Sequence, residues 1–436
     1  MSSSPLEALQ HATWGRGIVG CIPGAPALYP RTTESVTIIG GGLMGTGIAL
    51  SLINAGLRIA VVESDAQARD RVRAAISGAL DRDVKKQRST REIADARLAA
   101  LSVVDSLEGA CEADLFIEAV FEDIAAKREV FKALDRLVPS DALLASNTST
   151  LDLDAIAHST SRPERVLGLH FFSPANVMRL VEIVRGAGTS QQALTDALAF
   201  VARIGKTGVV AGNCDGFIGN RIFEEYLRQV WFMLEEGALP QQIDAALESF
   251  GMAMGPCRVM DLAGQDIGWR IRRRRAIEQP HRPYSRIPDS VCELNRFGQK
   301  SGAGFYRYPD GRTPEIDPQI EALIVEESRR IGLIRRRLDD QEIVERCISI
   351  MINEASRLLG EGIAYRPVDV DVVYLDGYGF PVERGGPMFY ADELGTAQVL
   401  SILDRRAIGR HAWAFEPAPL LQDLASRRGR FAELNC

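Results

Sequence analysis

Residues 36–50 read VTIIGGGLMGTGIAL, and their reading decides the fold. Val36, Thr37, Ile38 and Ile39 are apolar or β-branched and suit a short buried strand. Gly40, Gly42 and Gly45 follow at G-x-G-x-x-G spacing, and Ile48, Ala49, Leu50 and Leu52 suit a buried helix. So tight a turn needs a backbone that only glycine adopts cheaply. The second glycine lets the backbone approach a pyrophosphate, and the third lets helix and strand pack closely. The helix, entered at Leu43 and Met44, offers free backbone N–H groups and a positive dipole end to phosphates. Gly56 ends it, and residues 57–62 (LRIAVV) make a second strand closed by Glu63. A carboxylate about 20 residues past the glycines accepts both ribose hydroxyls. It also repels a 2′-phosphate, so NAD is favoured over NADP, with Asp65 the rival for this role.

At 436 residues the chain holds two or three domains. Its net charge of −7 argues against a general nucleic-acid binder, so a polyanionic ligand must meet local basic patches. The seven cysteines are scattered singly with no C-x-x-C pair, which suits reduced thiols in a cytoplasmic setting. No apolar run reaches the length of a membrane span. MSSSPLEALQ lacks a signal-peptide core, and the terminal ELNC is not an address of the S-K-L type.

Residues 1–34 show no helical period and read as a tail or linker. Residues 66–99 are long, charged and helical, an arm inserted in the nucleotide domain whose charges are mostly solvated. Strands are expected at 114–120, 142–145, 165–169, 180–184 and 206–211, with an amphipathic helix over 123–137. This alternation predicts an α/β, doubly wound, mainly parallel sheet over 35–213, with ligands beyond the carboxyl ends of the strands. SNTS at 146–149 and His170 both lie at such ends. After Cys214 the pattern becomes long helices with a weak internal repeat. Glu236-Gly237 with Asp244 recurs as Glu361-Gly362 with Asp369, and Gly255-Pro256 with Asp261-x-x-Gly264 recurs as Gly386-Pro387 with Asp392-x-x-Gly395. Two related all-α domains are therefore expected at 214–310 and 341–436, joined by 311–340.

With five histidines and no clustered His/Cys ligands, no metal site is expected. No G-x-S-x-G elbow points to a serine nucleophile. His170 has the best setting among the histidines, ending an apolar strand. A hairpin-like return would bring Glu182 of the next strand alongside. A carboxylate on one ring nitrogen fixes the tautomer, and the other nitrogen then exchanges a proton with a hydroxyl or carbonyl. Reversible alcohol oxidation by NAD requires such a base. Ser149 and Asn220 can add hydrogen bonds to the reacting oxygen, although composition alone favours the ordinary reading of a turn serine and a helix-start asparagine.

GGGLMGTGIA, ADLFIEAVFED, SNTSTLDL, LHFFSPANVMRLVEIV, GFIGNRI and RFGQKSGAGFYRY together resemble the L-3-hydroxyacyl-CoA dehydrogenase family. MGPCRVMDLAG, IPDSVCELNRFGQK and DVVYLDGYGFPVERGGPMFYA are most similar to the dehydrogenase part of bifunctional hydratase/dehydrogenase enzymes of fatty-acid β-oxidation. The resemblance spans roughly residues 35–430. It implies a Rossmann-type NAD domain followed by helical domains, with acyl-CoA between them. It implies His170 as the catalytic base, Glu182 as its orienting partner, and Ser149 and Asn220 on the substrate oxygen. Gly40, Gly42, Gly45 and Glu63 would hold the adenosine half of NAD, while Glu122 and Lys127 would lie near its ribose and nicotinamide side. Lys300 matches a family lysine, and Lys85 and Lys86 fall where relatives meet CoA. Many monofunctional members carry asparagine where this chain has Ser173, which leaves open the contact to the nicotinamide carboxamide.

The expected activity is reversible NAD-dependent oxidation of L-3-hydroxyacyl-CoA to 3-ketoacyl-CoA. No crotonase-like hydratase domain is expected before residue 35, so a separate enoyl-CoA hydratase is the implied partner. The second helical copy would stand in for a dimer partner, giving a monomer with an internal pseudo-dimer. Two alternatives stay open: a dehydrogenase of another hydroxyacid, such as a sugar acid or carnitine-like compound, and a non-catalytic subunit supporting a hydratase. The run RIRRRR at 270–275 motivates the second and is expected in a variable, solvated loop.

Overall fold

The computed structural model describes residues 4–435 except Gln279 and His281, so His281 and Cys436 lie outside the described residues. In chain order the elements are α1 (Pro5–Ile18), β1 (Ser35–Ile39), α2 (Leu43–Asn54), β2 (Arg58–Val62), α3 (Ala66–Lys85), α4 (Arg91–Ala99), β3 (Leu101–Val104), β4 (Leu115–Glu118), α5 (Ile124–Leu137), β5 (Leu143–Ser146), α6 (Leu153–Ala157), β6 (Val166–Phe171), β7 (Leu180–Arg185), α7 (Gln191–Arg203) and β8 (Thr207–Gly212). Helices then follow without strands: α8 (Gly219–Glu236), α9 (Pro240–Phe250), α10 (Pro256–Ala263), α11 (Gln265–Glu278), α12 (Ile287–Glu293), α13 (Pro318–Arg330), α14 (Asp340–Gly360), α15 (Pro367–Gly377), α16 (Pro387–Leu394), α17 (Thr396–Arg406) and α18 (Pro419–Ser426). The chain forms two compact units. One comprises Gln10–Asn220, Leu358–Tyr378 and Leu434–Cys436; the other comprises Met1–Leu9, Arg221–Arg357 and Gly379–Glu433.

The first unit is built on one eight-stranded sheet of order β3-β2-β1-β4-β5-β6-β7-β8. All pairings are parallel except β6 with β7. The strands read as near-continuous apolar runs because helices cover both faces, and Ile38, Ile48, Leu52, Val61, Ile117 and Leu167 share the core. β1 lies between β2 and β4, so the order of strands reverses there, the place at which sheets of this kind bind their ligands beyond the carboxyl ends of the strands. The charged arm is two helices, α3 and α4, separated at Gln87 (φ 56°) and restarted by Thr90, whose hydroxyl accepts from the Ile93 N–H. Val72, Ile76 and Leu80 of α3 are buried, and Lys85 and Lys86 at its end are exposed.

Residues 1–34 are not a featureless tail, because Pro5–Ile18 is helical. From Gln10 onward this helix belongs to the sheet-containing unit and is fastened to α15 by Arg16–Asp376 (2.7 Å) and His11–Asp371 (2.8 Å). A Cβ at Gly15 would stand 2.8 Å from Val368 Cγ2, so the contact depends on a small residue. Two glycines, and apolar residues spread around the helix, erase the period that would have signalled it.

In the second unit one of the repeated motifs repeats its role. The Asp261 carboxylate accepts from the Phe305 N–H (2.9 Å) and Tyr306 N–H (3.0 Å). Asp392 likewise accepts from the Phe431 N–H (2.7 Å) and Ala432 N–H (2.9 Å). Arg221 Nε donates to Glu354 Oε1 (2.7 Å), and Arg346 Nη2 donates to Gln229 Oε1 (3.2 Å). The offset of 125 residues that relates Glu236 to Glu361 also relates Arg221 to Arg346 and Gln229 to Glu354. The two contacts are thus each other's images, the pattern of an isologous two-fold interface. They also show that α8 and α14 run antiparallel. Compactness divides the chain differently from the repeat, since α15 groups with the sheet while α14 up to Arg357 and α16–α18 do not.

The run RIRRRR is not a loop. It lies in α11, where Arg272 pairs with Asp289 (2.6 Å) and Arg275 with Glu224, both arginines being buried. Arg270, at 84% side-chain exposure, and Arg273 are the exposed members of the run.

Candidate active site

The glycine turn has the shape its residue types demand. Gly40 has φ +110°, and a Cβ there would lie 2.6 Å from the Ala119 carbonyl oxygen. A Cβ on Gly45 would lie 1.9 Å from the Gly40 carbonyl oxygen, so α2 can approach β1 only with glycine there. Gly42 is exposed, and a Cβ there would meet nothing within 4 Å, so a ligand can reach its backbone. It caps α2 without a side-chain hydrogen bond, and Leu43 beside it is 83% exposed. Met44 instead packs against the core. Glu63 stands at the end of β2, where its carboxylate accepts from the N–H groups of Gly41 and Asp65 (3.0 Å each). Asp65 is used otherwise: it caps α3 by accepting from the Ala68 N–H (2.6 Å). This donor set fits a dinucleotide: N–H groups for the pyrophosphate, a carboxylate at the ribose position, and no side chain across the approach.

Glu122 is exposed, whereas Lys127 lies behind it. Lys127 is fully buried, and its ammonium donates to Glu118 (2.7 and 3.0 Å) and lies 3.3 Å from Glu122. A side chain so enclosed holds its neighbours in place. Glu122 Oε1 accepts from the Thr148 hydroxyl (2.6 Å) and from the N–H (2.8 Å) and hydroxyl (3.2 Å) of Ser149. Burial opposes its charge, but the Lys127 cation and the bonds from Thr148 and Ser149 outweigh it, holding the Glu122 carboxyl below its ordinary range. The pair thereby anchors the loop after β5 that carries Ser149. Asn147 of the same loop accepts from the Phe171 N–H (2.9 Å) and ties it to the end of β6.

His170 and Glu182 face each other directly in the one antiparallel pairing of the sheet, β6 with β7. Directly opposed residues point to the same face, which brings His170 Nδ1 to 2.8 Å from Glu182 Oε2. Glu182 is wholly buried, and its other oxygen accepts from the N–H groups of Ile218 (3.1 Å) and Gly219 (2.9 Å). Those two groups converge because the chain turns at Gly216 (φ 84°) and Phe217 (φ 50°), the latter a strained conformation for a bulky residue. The His170 ring, 6% exposed, is flanked by Phe172 (centroids 4.4 Å apart) and Phe217 (5.7 Å). With Nδ1 engaged, Nε2 is the ring nitrogen left for proton exchange.

Asn220, in the first turn of α8, is the last residue of this unit's main segment, and its Oδ1 accepts from the Tyr378 hydroxyl (2.8 Å). Ser173 is exposed beyond β6. The loop between β6 and β7 is held by Lys206, whose ammonium donates to the carbonyls of Ala175 (2.7 Å) and Met178 (2.5 Å), with burial pushing its pKa down. Lys300 pairs with Asp266 in the other unit. Glu118, Asn147, Lys206 and Tyr378 went unnoticed in the sequence. SNTSTLDL and DVVYLDGYGFPVERGGPMFYA carry the family resemblance, but only packing reveals these bonds. Among the described residues no group of His, Cys, Asp or Glu could hold a metal ion, and no helix is long and apolar enough to cross a membrane.

A family model described as the 3-hydroxyacyl-CoA dehydrogenase NAD-binding domain matches residues 35–214, and the C-terminal domain model matches residues 216–308 and again 343–431. The chain belongs to the 3-hydroxyacyl-CoA dehydrogenase family. Its first domain is therefore an NAD-binding domain. Among curated relatives of this family, the peroxisomal bifunctional enzyme of Danio rerio is 45% identical over 91% of this chain and 57% of its own length. The glyoxysomal fatty acid beta-oxidation multifunctional protein MFP-a of Brassica napus is 37% identical over 93% of this chain and 57% of its own. The chain thus spans little more than half the length of such relatives. Among solved structures, 3-hydroxybutyryl-CoA dehydrogenase from Escherichia coli aligns with TM-score 0.80 at 26% identity, covering 91% of this chain and 99% of that one. The dehydrogenase part of multifunctional enzyme 1 from C. elegans aligns with TM-score 0.69 at 29% identity, covering 96% and 99%. The expectation of a cytoplasmic setting is overturned, because these curated relatives are named peroxisomal or glyoxysomal. Scattered free cysteines report a reducing environment and do not distinguish such compartments.

Proposed function

We propose that this chain catalyses the reversible NAD-dependent oxidation of L-3-hydroxyacyl-CoA to 3-ketoacyl-CoA, as in fatty-acid β-oxidation. The observation that carries this reading is the His170–Glu182 pair, held in one orientation by cross-strand register and by the N–H groups of Ile218 and Gly219. NAD, when bound at the glycine turn, supplies the hydride acceptor. Gly40, Gly42 and Gly45 leave room for its pyrophosphate, and Glu63 takes its ribose hydroxyls. His170 accepts the proton of the 3-hydroxyl at Nε2 and returns it in the reverse direction. Glu182 fixes the tautomer and stands beside the charge that develops on the ring. Asn220 directs its carboxamide N–H toward the reacting oxygen, and Ser149 lines the same approach from the loop anchored by Glu122.

We also propose that the single chain is the working unit. The reciprocal contacts Arg221–Glu354 and Arg346–Gln229 support this, since they set two helical copies of one chain against each other as a symmetric dimer would. An enoyl-CoA hydratase is the natural supplier of the substrate. NADH consumption with acetoacetyl-CoA and longer 3-ketoacyl-CoAs tests the reaction. His170→Ala is expected to lose at least about a hundredfold, the scale of general acid–base catalysis. Undiminished turnover in that variant excludes His170 as the base, and absence of turnover with every 3-ketoacyl-CoA in the wild type excludes the reaction.

A further inference from the structure

We propose that Tyr378 is a positioning residue for this reaction: its hydroxyl holds the Asn220 carboxamide so that the amide N–H, not the carbonyl oxygen, faces the reacting oxygen. The inference rests on the role given to Asn220 above.

Tyr378 directly follows α15, which belongs to the second helical copy yet groups with the sheet. Its hydroxyl lies 2.8 Å from Asn220 Oδ1. A carboxamide offers an acceptor oxygen on one side and two N–H donors on the other. With the oxygen occupied by a phenol O–H, the donors are turned away from Tyr378 and are free for a ligand. A flipped amide would present its oxygen to an alkoxide or carbonyl, acceptor against acceptor, and would stabilise nothing. The phenol stays a donor because burial, reinforced by the charge of Glu182 and by Tyr374, keeps its pKa well above the ordinary value.

The ring is itself fixed on several sides. It stacks on Tyr374 (4.8 Å, 20°), whose hydroxyl donates to the Gly219 carbonyl (3.2 Å). It meets Phe172 edge-on (5.6 Å, 77°), and Phe172 in turn flanks His170. It also covers Gly219, where a Cβ would sit 2.4 Å from Tyr378 Cε2. Gly219 therefore admits the ring while its N–H donates to Glu182. One tyrosine thus bears on both the residue that binds the reacting oxygen and the wall beside the imidazole.

A double-mutant cycle on the intact protein tests this, with NADH and acetoacetyl-CoA as substrates. Tyr378→Phe keeps the ring and removes the hydroxyl. It is expected to lower kcat about tenfold, the effect of one hydrogen bond, while the KM for NADH stays within about twofold. In the Asn220→Ala background the same substitution is expected to cost nothing more. Full kcat in Tyr378→Phe overturns the proposal. So does a loss that multiplies fully with that of Asn220→Ala, since a merely structural role predicts independence. Thermal melting of each variant shows that folded protein is compared. If Asn220→Ala alone keeps full activity, the role of Asn220 falls and Tyr378 with it. If Asn220→Ala is impaired and Tyr378→Phe is not, only the present inference falls.

Discussion

At the scale of the residue, Glu182 carries two obligations that a neutral isostere cannot meet together. One oxygen faces a ring N–H and the other faces two backbone N–H groups, so every neighbour is a donor. In Glu182→Gln the amide NH2 must face one of these donors. If it faces His170, the imidazole is driven to the opposite tautomer and loses its acceptor at Nε2. If it faces the backbone, two buried N–H groups go unsatisfied. We expect kcat to fall by roughly 10²- to 10⁴-fold with little change in the KM for NADH, as for other His–carboxylate pairs. Steady-state kinetics checks this. His170 and Glu182 were legible in the sequence because register between neighbouring strands is a local property. Tyr378 was not, since nothing near position 378 says that it closes on Asn220.

At the scale of the element, strands flanked by glycine turns could be read from hydrophobic runs, and their order followed from the alternation with helices. β3 escaped, being only four residues long with one of them buried. α1 escaped because its attachment is ionic and its contact residue is glycine. The loop over 304–308 illustrates a different dependence, since it is pinned by carboxylates. Asp244 accepts from the Cys257 N–H (2.8 Å), the Arg258 N–H (3.2 Å) and the Tyr306 hydroxyl (2.7 Å). Burial, only partly countered by these bonds, pushes its carboxyl up to about 7. An acid whose folded pKa is raised stabilises the fold fully below its unfolded pKa of about 4, and that contribution is lost as pH rises toward 7. We expect urea midpoints to decline between pH 5 and pH 8, with a smaller decline in Asp244→Asn. An equal slope in both proteins would show that Asp244 titrates normally.

At the scale of the whole molecule, the repeat could be found in four short motifs, but its two-fold character needed coordinates, because reciprocity is a property of contacts. Light scattering during size-exclusion chromatography should return the mass of one chain, 47.7 kDa. A tight dimer would show that the paired copies do not satisfy each other. In an assembly of identical subunits every substitution is made twice, once on each side of the axis. A fused pair escapes that rule. Gln229 has already taken the place that Glu354 holds in the other copy, and the position matching Asn220 is Glu345. One copy can keep the chemistry while the other drifts toward supporting it, so inheritance acts on the two halves separately.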